Sequence, residues 1–147
     1  MRRSRQNIVI LNLQKKVRIN QKKIKGIASQ ILRYEFKDAG QLNIVFVTDK
    51  RIRALNKKYL NRDRATDVLA FDMRQGCLPK GAEAFFGDVV ISAETALGNA
   101  RRFGTSAEKE IVLYLIHGLL HLLGYTDSKD SRKNLLKRQA YYFERLK

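Results

Sequence analysis

Both histidines of this 147-residue chain lie in one apolar stretch, at positions 117 and 121. Residues four apart on an α-helix lie one above the other on the same face, so His117 and His121 could reach one ion. Gly124 is expected to end that helix, because glycine readily takes the left-handed conformation found just past a helix C-terminus. The chain would then turn back, which makes Asp127 the best-placed third ligand. The spacing predicts a mononuclear metal site formed by His117, His121 and Asp127.

The same spacing is similar to a metalloprotease signature in which a glutamate follows the first histidine and serves as the general base. Gly118 occupies that position here and cannot accept a proton. A side chain at position 118 is expected to block approach to the metal, which would explain a glycine inside a helix. The missing base favours other metal chemistry, and a protease stays the alternative that cleavage of peptides would support.

The elements that must position this motif can be predicted from the apolar periodicity. The pattern indicates a single α+β domain over residues 1–147, with about four strands in a mixed sheet and about five helices. The helix that carries the histidines is apolar nearly all round, so it is expected to be the central, buried helix. A capping box formed by Thr105 and Glu108 is predicted at its start. The predicted strands cover residues 8–13, 42–47, 67–71 and 87–92.

Four further helices are expected around this central one. The first runs from about residue 24 to 34, the second follows a cap at Thr48 or Asp49, and the third is capped by Ser92 and ends near residue 102. The last is a basic amphipathic helix over residues 131–146. A loop that contains Gly76, Pro79 and Gly81 is predicted between the third and fourth strands.

The charge of the chain is one-sided, with 30 Lys and Arg against 14 Asp and Glu and a net charge of +16. The first 25 residues hold nine Lys or Arg and no acidic residue. Such a surface favours a polyanionic partner, and nucleic acid is favoured over an acidic membrane because no apolar run is long enough to span a bilayer. Cys77 is the only cysteine, so an intramolecular disulfide is excluded. We therefore expect a cytoplasmic protein.

Several short motifs between residues 55 and 127 form one set. They are Leu55-Asn56, Tyr59, Asp63, Thr66-Asp67-Val68-Leu69, Phe71, Gly87-Asp88-Val89-Val90-Ile91-Ser92 and the stretch from His117 to Asp127. Together they resemble the YbeY family of bacterial rRNA maturation factors with endoribonuclease activity. The resemblance implies a single-strand-specific, metal-dependent endoribonuclease with one Zn²⁺ per chain, which acts in rRNA 3′-end maturation and ribosome quality control. Its implied partners are ribosomal RNA, the small ribosomal subunit and assembly factors, with no membrane and no small-molecule cofactor.

The chain departs from the family pattern at several positions. Asp127 stands where the family has its third histidine ligand, and the negative charge of a carboxylate would make the metal less Lewis-acidic. Leu60 replaces an arginine thought to assist catalysis. Arg62 or Arg64 in the same turn could take over that role, and Arg62 is our candidate catalytic residue. Two further departures, expected to soften a loop rather than abolish function, are Ala65 and Ala70.

Two points of function stay open from the sequence alone. The attacking nucleophile could be water or the ribose 2′-hydroxyl, and the candidates for stacking on RNA bases are Tyr59, Phe71 and Tyr125, with a core role favoured for Phe71. The alternative to an enzyme is a non-catalytic, basic RNA-binding factor in ribosome assembly whose metal is structural. That factor would bind RNA in a salt-sensitive manner without cleaving it.

Overall fold

Four strands and five helices form in the residues that a computed structural model of the chain describes, which are 7–35, 40–72 and 87–147. The predicted α+β class, with a mixed four-stranded sheet and five helices, is confirmed. The predicted loop with Gly76, Pro79 and Gly81 lies outside the described residues, as does Cys77. The elements in chain order are β1 (Asn7–Asn12), α1 (Gln21–Tyr34), β2 (Gln41–Val47), α2 (Asp49–Leu60), β3 (Val68–Asp72), β4 (Gly87–Ser92), α3 (Ala93–Phe103), α4 (Ala107–Leu122) and α5 (Lys129–Leu146).

The sheet has the strand order β1-β2-β4-β3. Strands β1, β2 and β4 are parallel, and β3 is antiparallel to β4 at one edge. In the register, Ile44 of β2 lies beside Val89 of β4, and Val89 lies beside Ala70 of β3. Successive side chains of a strand point to opposite faces, so these three residues share one face of the sheet.

The two faces of the sheet carry separate apolar clusters. Leu42, Ile44 and Phe46 of β2 point to the face covered by α1, α4 and α5, where the main core lies. Val45 and Val47 point to the other face, against α2. The nearly continuous apolar run along β2 therefore buries both faces, as expected for a sheet layered between helices.

Helix α4 occupies the centre of the main core, with ten buried residues along its 16 positions. It begins after Ser106, whose side chain accepts a hydrogen bond from the backbone N–H of Lys109 at 3.1 Å. The predicted capping box of Thr105 and Glu108 is therefore wrong by one residue. The Thr105 hydroxyl instead donates to Glu110 at 2.8 Å, across the first turn of the helix.

The other predicted helix starts agree with the structure or differ by a turn. Thr48 and Ser92 are the N-caps of α2 and α3, and each side chain accepts from the backbone N–H three residues on. Helix α5 begins at Lys129 after an N-cap at Ser128, two residues before the predicted start. Among the described residues, no helix is both long and apolar enough to cross a membrane.

Candidate metal centre

His117 and His121 project from successive turns of α4 toward each other. Their Nε2 atoms are 3.0 Å apart, and their rings meet edge to face at an interplanar angle of 67°. Two nitrogens bound to one tetrahedral Zn²⁺, at about 2.0–2.1 Å each, would be about 3.3 Å apart. The histidine pair therefore matches the donor separation of a zinc site to within a few tenths of an ångström.

The outer nitrogen of His117 is held by a hydrogen bond, and the backbone of Tyr125 lies beside His121. His117 Nδ1 lies 2.7 Å from the Oε1 atom of Gln139 on α5, and His121 hydrogen-bonds to the backbone of Tyr125. A carboxamide oxygen only accepts, so His117 Nδ1 donates and its Nε2 presents a lone pair toward His121. Two imidazoles that face each other through Nε2, one of them anchored through its outer nitrogen, suit a shared cation.

The surroundings of His121 favour its neutral form. Its pKa is lowered mainly because burial disfavours the charged imidazolium, and also because His117 is adjacent. Asp127 and the hydrogen bond to the Tyr125 backbone act in the opposite direction but do not reverse the shift. Since a neutral imidazole is the form that ligates a metal, this environment keeps His121 available as a ligand.

The chain reverses direction directly after α4, as predicted from Gly124. This glycine has φ +104°, and its N–H donates to the His121 carbonyl at 3.1 Å. The N–H of Tyr125 donates to the Leu120 carbonyl at 3.0 Å. These two bonds form a Schellman motif, which ends the helix and directs the next residues back toward the histidines.

Asp127 lies near the histidine pair but further away than a bound ligand would be. Its Oδ2 atom is 3.9 Å from His121 Nε2, and its side chain is 68% exposed. Two ligands of one Zn²⁺ would be about 3.4 Å apart, so the carboxylate would need to move by about 0.5 Å. Within the described part of the chain, no three His, Cys, Asp or Glu side chains are already grouped as a metal site. The structure thus brings the two histidines together and leaves Asp127 as a predicted third ligand.

Gly118 faces the sheet and not the histidine pair, so the expected reason for this glycine is wrong. A Cβ at this position would lie 2.8 Å from Val89 Cγ1 and 3.0 Å from Val68 Cγ2. The glycine therefore allows α4 to approach β3 and β4. The same contact leaves no room for a glutamate after the first histidine, which argues against the protease alternative on steric grounds.

A partly buried carboxylate connects the site to two other helices. Glu35, at the end of α1, accepts hydrogen bonds from the hydroxyls of Tyr142 at 2.9 Å and Tyr125 at 3.4 Å. Arg138 Nε lies 3.9 Å from the same Glu35 oxygen. Tyr125 belongs to the turn that carries Asp127, so the network attaches this turn to α1 and α5.

Arg62 lies on an exposed turn after α2. Its backbone N–H donates to the Asn56 carbonyl at 3.2 Å, and the Asn56 side chain donates to the Arg64 carbonyl at 3.0 Å. Asn56 is only 2% exposed, so it fixes the turn from inside the fold. No hydrogen bond or ion pair of the Arg62 guanidinium occurs among the described residues, and none joins it to the histidines. The catalytic role of Arg62 stays a prediction.

The three aromatic candidates for base stacking occupy different places. Tyr59 is 58% exposed and meets the edge of Phe71 at 5.5 Å between ring centroids. Both line a cavity of about 710 Å³ between α2 and the face of the sheet that carries Val45 and Val47, and neither histidine lines it. Phe71 also packs partly buried against that cluster, in line with the core role favoured for it. Tyr125 alone of the three adjoins the histidine pair.

Two residues of the site were not predicted from the sequence, Gln139 and Glu35. Gln139 follows the buried Leu135 by four residues and precedes the buried Tyr142 by three, so it lies on the buried stripe of α5. A polar residue on such a stripe signals a buried partner and could have been noticed. Glu35 has no comparable signal, because its partners come from distant parts of the chain.

The family model described as Endoribonuclease YbeY matches residues 9–147. A relative from Petrotoga mobilis with that name is 39% identical over 142 residues, which cover 95% of this chain and 94% of the relative. Another from Alkaliphilus metalliredigens is 38% identical over 138 residues, covering 86% and 89%. A third, from Anaeromyxobacter dehalogenans, is 43% identical over 110 residues, and this match spans 75% of the chain and 55% of the relative.

The fold has a counterpart among solved structures. The solution structure of a Thermotoga maritima protein matches with a TM-score of 0.67 and 28% sequence identity, over 95% of this chain and 88% of that one. The resemblance indicated by the motifs between residues 55 and 127 is thus confirmed by comparison of the chain over most of its length. This chain belongs to the endoribonuclease YbeY family.

Proposed function

We propose that this protein is a zinc-dependent endoribonuclease that cleaves single-stranded RNA, with His117, His121 and Asp127 as ligands of one Zn²⁺. The observation that carries the proposal is the 3.0 Å separation of the two Nε2 atoms on α4, in a chain whose relatives are named endoribonucleases. The fit of the histidine pair to zinc and the exposed Asp127 beside it support the ligand set.

The bound ion would supply Lewis acidity, by polarising a phosphate oxygen and by lowering the pKa of water. The chain's own residues hold and orient the reacting groups. His117 and His121 would ligate through nitrogens fixed on a buried helix, so their side chains would lose little freedom when they bind the ion. Asp127 is exposed at the rim, where RNA can approach.

Arg62 would bind the scissile phosphate. A guanidinium can donate two parallel hydrogen bonds to phosphate oxygens and so offset charge that develops during cleavage. Its exposed position on the turn after α2 leaves it accessible to RNA.

The attacking group defines two forms of the reaction with different products. Attack by water leaves a terminal phosphate and a free hydroxyl at the cut. Attack by the ribose 2′-hydroxyl leaves a 2′,3′-cyclic phosphate and a 5′-hydroxyl. Chromatography of the products of a defined oligonucleotide distinguishes the two, and replacement of the 2′-hydroxyl at the cut by hydrogen blocks only the second.

The substrate proposed here is the 3′ end of ribosomal RNA in the cytoplasm, in contact with the small ribosomal subunit and its assembly factors. The net charge of +16 supports a polyanionic substrate, because each phosphate contact releases counterions from RNA. The basic surface is not confined to one element, since α1 has four Lys or Arg without an acidic residue and α2 has five against one.

The experiment that tests the proposal is cleavage of a labelled single-stranded rRNA fragment by purified protein. The protein is assayed untreated, after chelation and after restoration of zinc, with a double-stranded RNA of the same sequence as comparator. His121→Ala is the contamination control, with its fold checked by circular dichroism. Cleavage that chelation abolishes, zinc restores and His121→Ala lacks is the expected result. Zinc-independent cleavage, or cleavage that His121→Ala retains, would contradict it.

The second candidate is a non-catalytic RNA-binding factor with a structural metal. The exposure of Asp127 and its 3.9 Å distance from His121 favour the absence of catalysis in this candidate, because a loosely placed third ligand holds a catalytic metal poorly. This candidate predicts salt-sensitive RNA binding without products under every metal condition. It also predicts a loss of thermal stability on chelation.

A further inference from the structure

We infer that Gln139 is a positioning residue of the metal centre, which fixes the tautomer and the ring orientation of His117. The inference rests on the proposed function, because it takes His117 to be a metal ligand. Gln139 would not touch the metal or the RNA. It acts through the hydrogen bond from His117 Nδ1 to its carboxamide oxygen, 2.7 Å long.

The packing of α5 aims Gln139 at α4. Leu135 and Tyr142, one turn before and one turn after Gln139, are 1% and 2% exposed. They anchor this face of α5 in the main core, so the side chain between them points toward the same core. A length of 2.7 Å places the bond at the short end of the range for N–H···O hydrogen bonds. The bond therefore lies between two well-anchored helices.

The acceptor determines which nitrogen of His117 is free. A neutral imidazole carries one proton, on Nδ1 or on Nε2. The oxygen of Gln139 stabilises the proton on Nδ1 and so leaves Nε2 as a lone pair that points at His121. Without that acceptor the proton can occupy Nε2, where it would block the ligand position. Outer hydrogen bonds of this kind orient histidine ligands in metal sites.

An apolar residue would serve α5 equally well if packing were the only requirement. The Gln139 side chain is partly buried, and a polar group withdrawn from water costs free energy unless it is hydrogen-bonded. Its carboxamide oxygen is hydrogen-bonded to His117. The polar residue on this stripe is therefore better explained by the histidine than by the helix interface.

The test compares three substitutions in the full chain. Gln139→Leu keeps a similar size and removes the acceptor, whereas Gln139→Glu keeps acceptors and removes the amide donor. Asn134→Leu, the same amide-to-leucine change at an exposed position of α5, is the matched control. Zinc affinity is measured by competition with a chromogenic chelator. The tautomer of His117 is determined from ¹⁵N chemical shifts of the metal-free protein. The free energy of unfolding of each metal-free variant is measured by urea denaturation.

Gln139→Leu is expected to weaken zinc binding by about 10- to 100-fold and to shift His117 toward the Nε2–H tautomer. Gln139→Glu and Asn134→Leu are expected to bind zinc at least as tightly as the wild type. A purely structural role would lower the stability of the metal-free protein and leave both the zinc affinity and the tautomer unchanged. That result overturns the inference.

The remaining outcomes separate this inference from the proposed function. If the wild type binds no zinc, the proposed metalloenzyme fails. If the wild type binds zinc and Gln139→Leu binds it equally, only the role of Gln139 fails. If Gln139→Leu does not fold, the tautomer of wild-type His117 and the zinc affinity of Gln139→Glu still test the role of Gln139. An Nε2–H tautomer in wild-type His117, or weaker zinc binding by Gln139→Glu, overturns the inference.

Discussion

Gly118 of α4 lies so close to Val89 of β4 that a Cβ at position 118 would be 2.8 Å from the Val89 Cγ1 atom. Cβ atoms in folded proteins essentially never approach another atom so closely. The contact sets how near α4 lies to the sheet, between the two turns that carry His117 and His121. Gly118 thus stands where a protease would have its glutamate base, and it also allows the helix with the two histidines to pack closely on the sheet.

The first prediction is that Gly118→Ala destabilises the protein although alanine is the better helix former. The helix preference of alanine is worth about 1 kcal/mol, while an extra methyl group in a packed core costs about 1–3 kcal/mol. We expect the free energy of unfolding to fall, measured by urea denaturation. The histidine rings should also move, which is visible in their NMR shifts.

Gly26→Ala in α1 and Gly98→Ala in α3 are the matched controls for this prediction. A Cβ at either position would meet nothing within 4 Å. Each is expected to raise the free energy of unfolding by about 0.4–1 kcal/mol, because alanine restricts the unfolded chain. An equal gain for Gly118→Ala would show that the core accommodates the methyl group and that the close approach is not required.

The second prediction concerns Asp127 as the third ligand. Asp127→Ala is expected to weaken zinc binding by more than the roughly 10- to 100-fold that loss of an outer hydrogen-bond partner costs. Asp127→His should restore it, because an imidazole reaches further than the carboxylate that now lies 3.9 Å from His121. The stability of the metal-free protein should change by less than about 0.5 kcal/mol in both, since the side chain is exposed.

Asp130→Ala is the control for this substitution, because it removes another exposed carboxylate three residues on. Zinc affinity by chelator competition is the measurement for all three variants. Unchanged affinity in Asp127→Ala would exclude this residue from the ligand set. The site would then be the histidine pair with a ligand from elsewhere.

The third prediction is an alkaline loss of stability due to two buried tyrosines. Burial raises the pKa of Tyr114 and of Tyr142, and the neighbouring Glu35 raises that of Tyr142 further. Above about pH 10 the unfolded chain releases these protons while the folded chain keeps them, so stability falls as pH rises. Each tyrosine contributes a slope of about 1.4 kcal/mol per pH unit until its folded pKa is reached.

Urea unfolding between pH 9 and 11 measures this slope. Tyr142→Phe and Tyr114→Phe should each flatten it, although Tyr142→Phe also loses the hydrogen bond to Glu35 and is less stable at pH 7. Tyr34→Phe, at a residue that is 61% exposed, is the control. Equal slopes in all four proteins would exclude buried tyrosines as the cause.

The strands and the end of α4 could be predicted because their signals are local. The apolar, β-branched run of β2 and the glycine at position 124 each determine a conformation over a few residues. The start of α4 was predicted one residue early because Thr105 and Ser106 are both good caps. Ser106 is the N-cap, and the Thr105 hydroxyl instead donates to Glu110 five residues on, a spacing that the capping-box pattern does not contain.

The histidine pair could be predicted because it depends on local helical spacing. Its surroundings could not, because they come from elements distant in the sequence. Helical spacing places His117 and His121 together whatever the rest of the chain does. Gln139 and Glu35 reach the site through the packing of α5 and α1, over separations of 22 residues to His117 and 90 to Tyr125. Gly118 was interpreted incorrectly because its neighbours lie on strands distant in sequence.

The last prediction distinguishes Arg62 from Arg64 as the catalytic cation. Arg64 lines a shallow cleft with Asp49 and Lys50 at the start of α2, whereas Arg62 lies outside this cleft on the exposed turn. We expect Arg62→Ala to lower the single-turnover rate of RNA cleavage by about 100-fold, and Arg62→Lys to recover part of it. Arg64→Ala should weaken RNA binding only. Each alanine substitution should make the plot of log binding constant against log salt concentration less steep by about 0.7, the value for one lost phosphate contact on single-stranded RNA. The opposite assignment of rate and affinity would make Arg64 the catalytic residue.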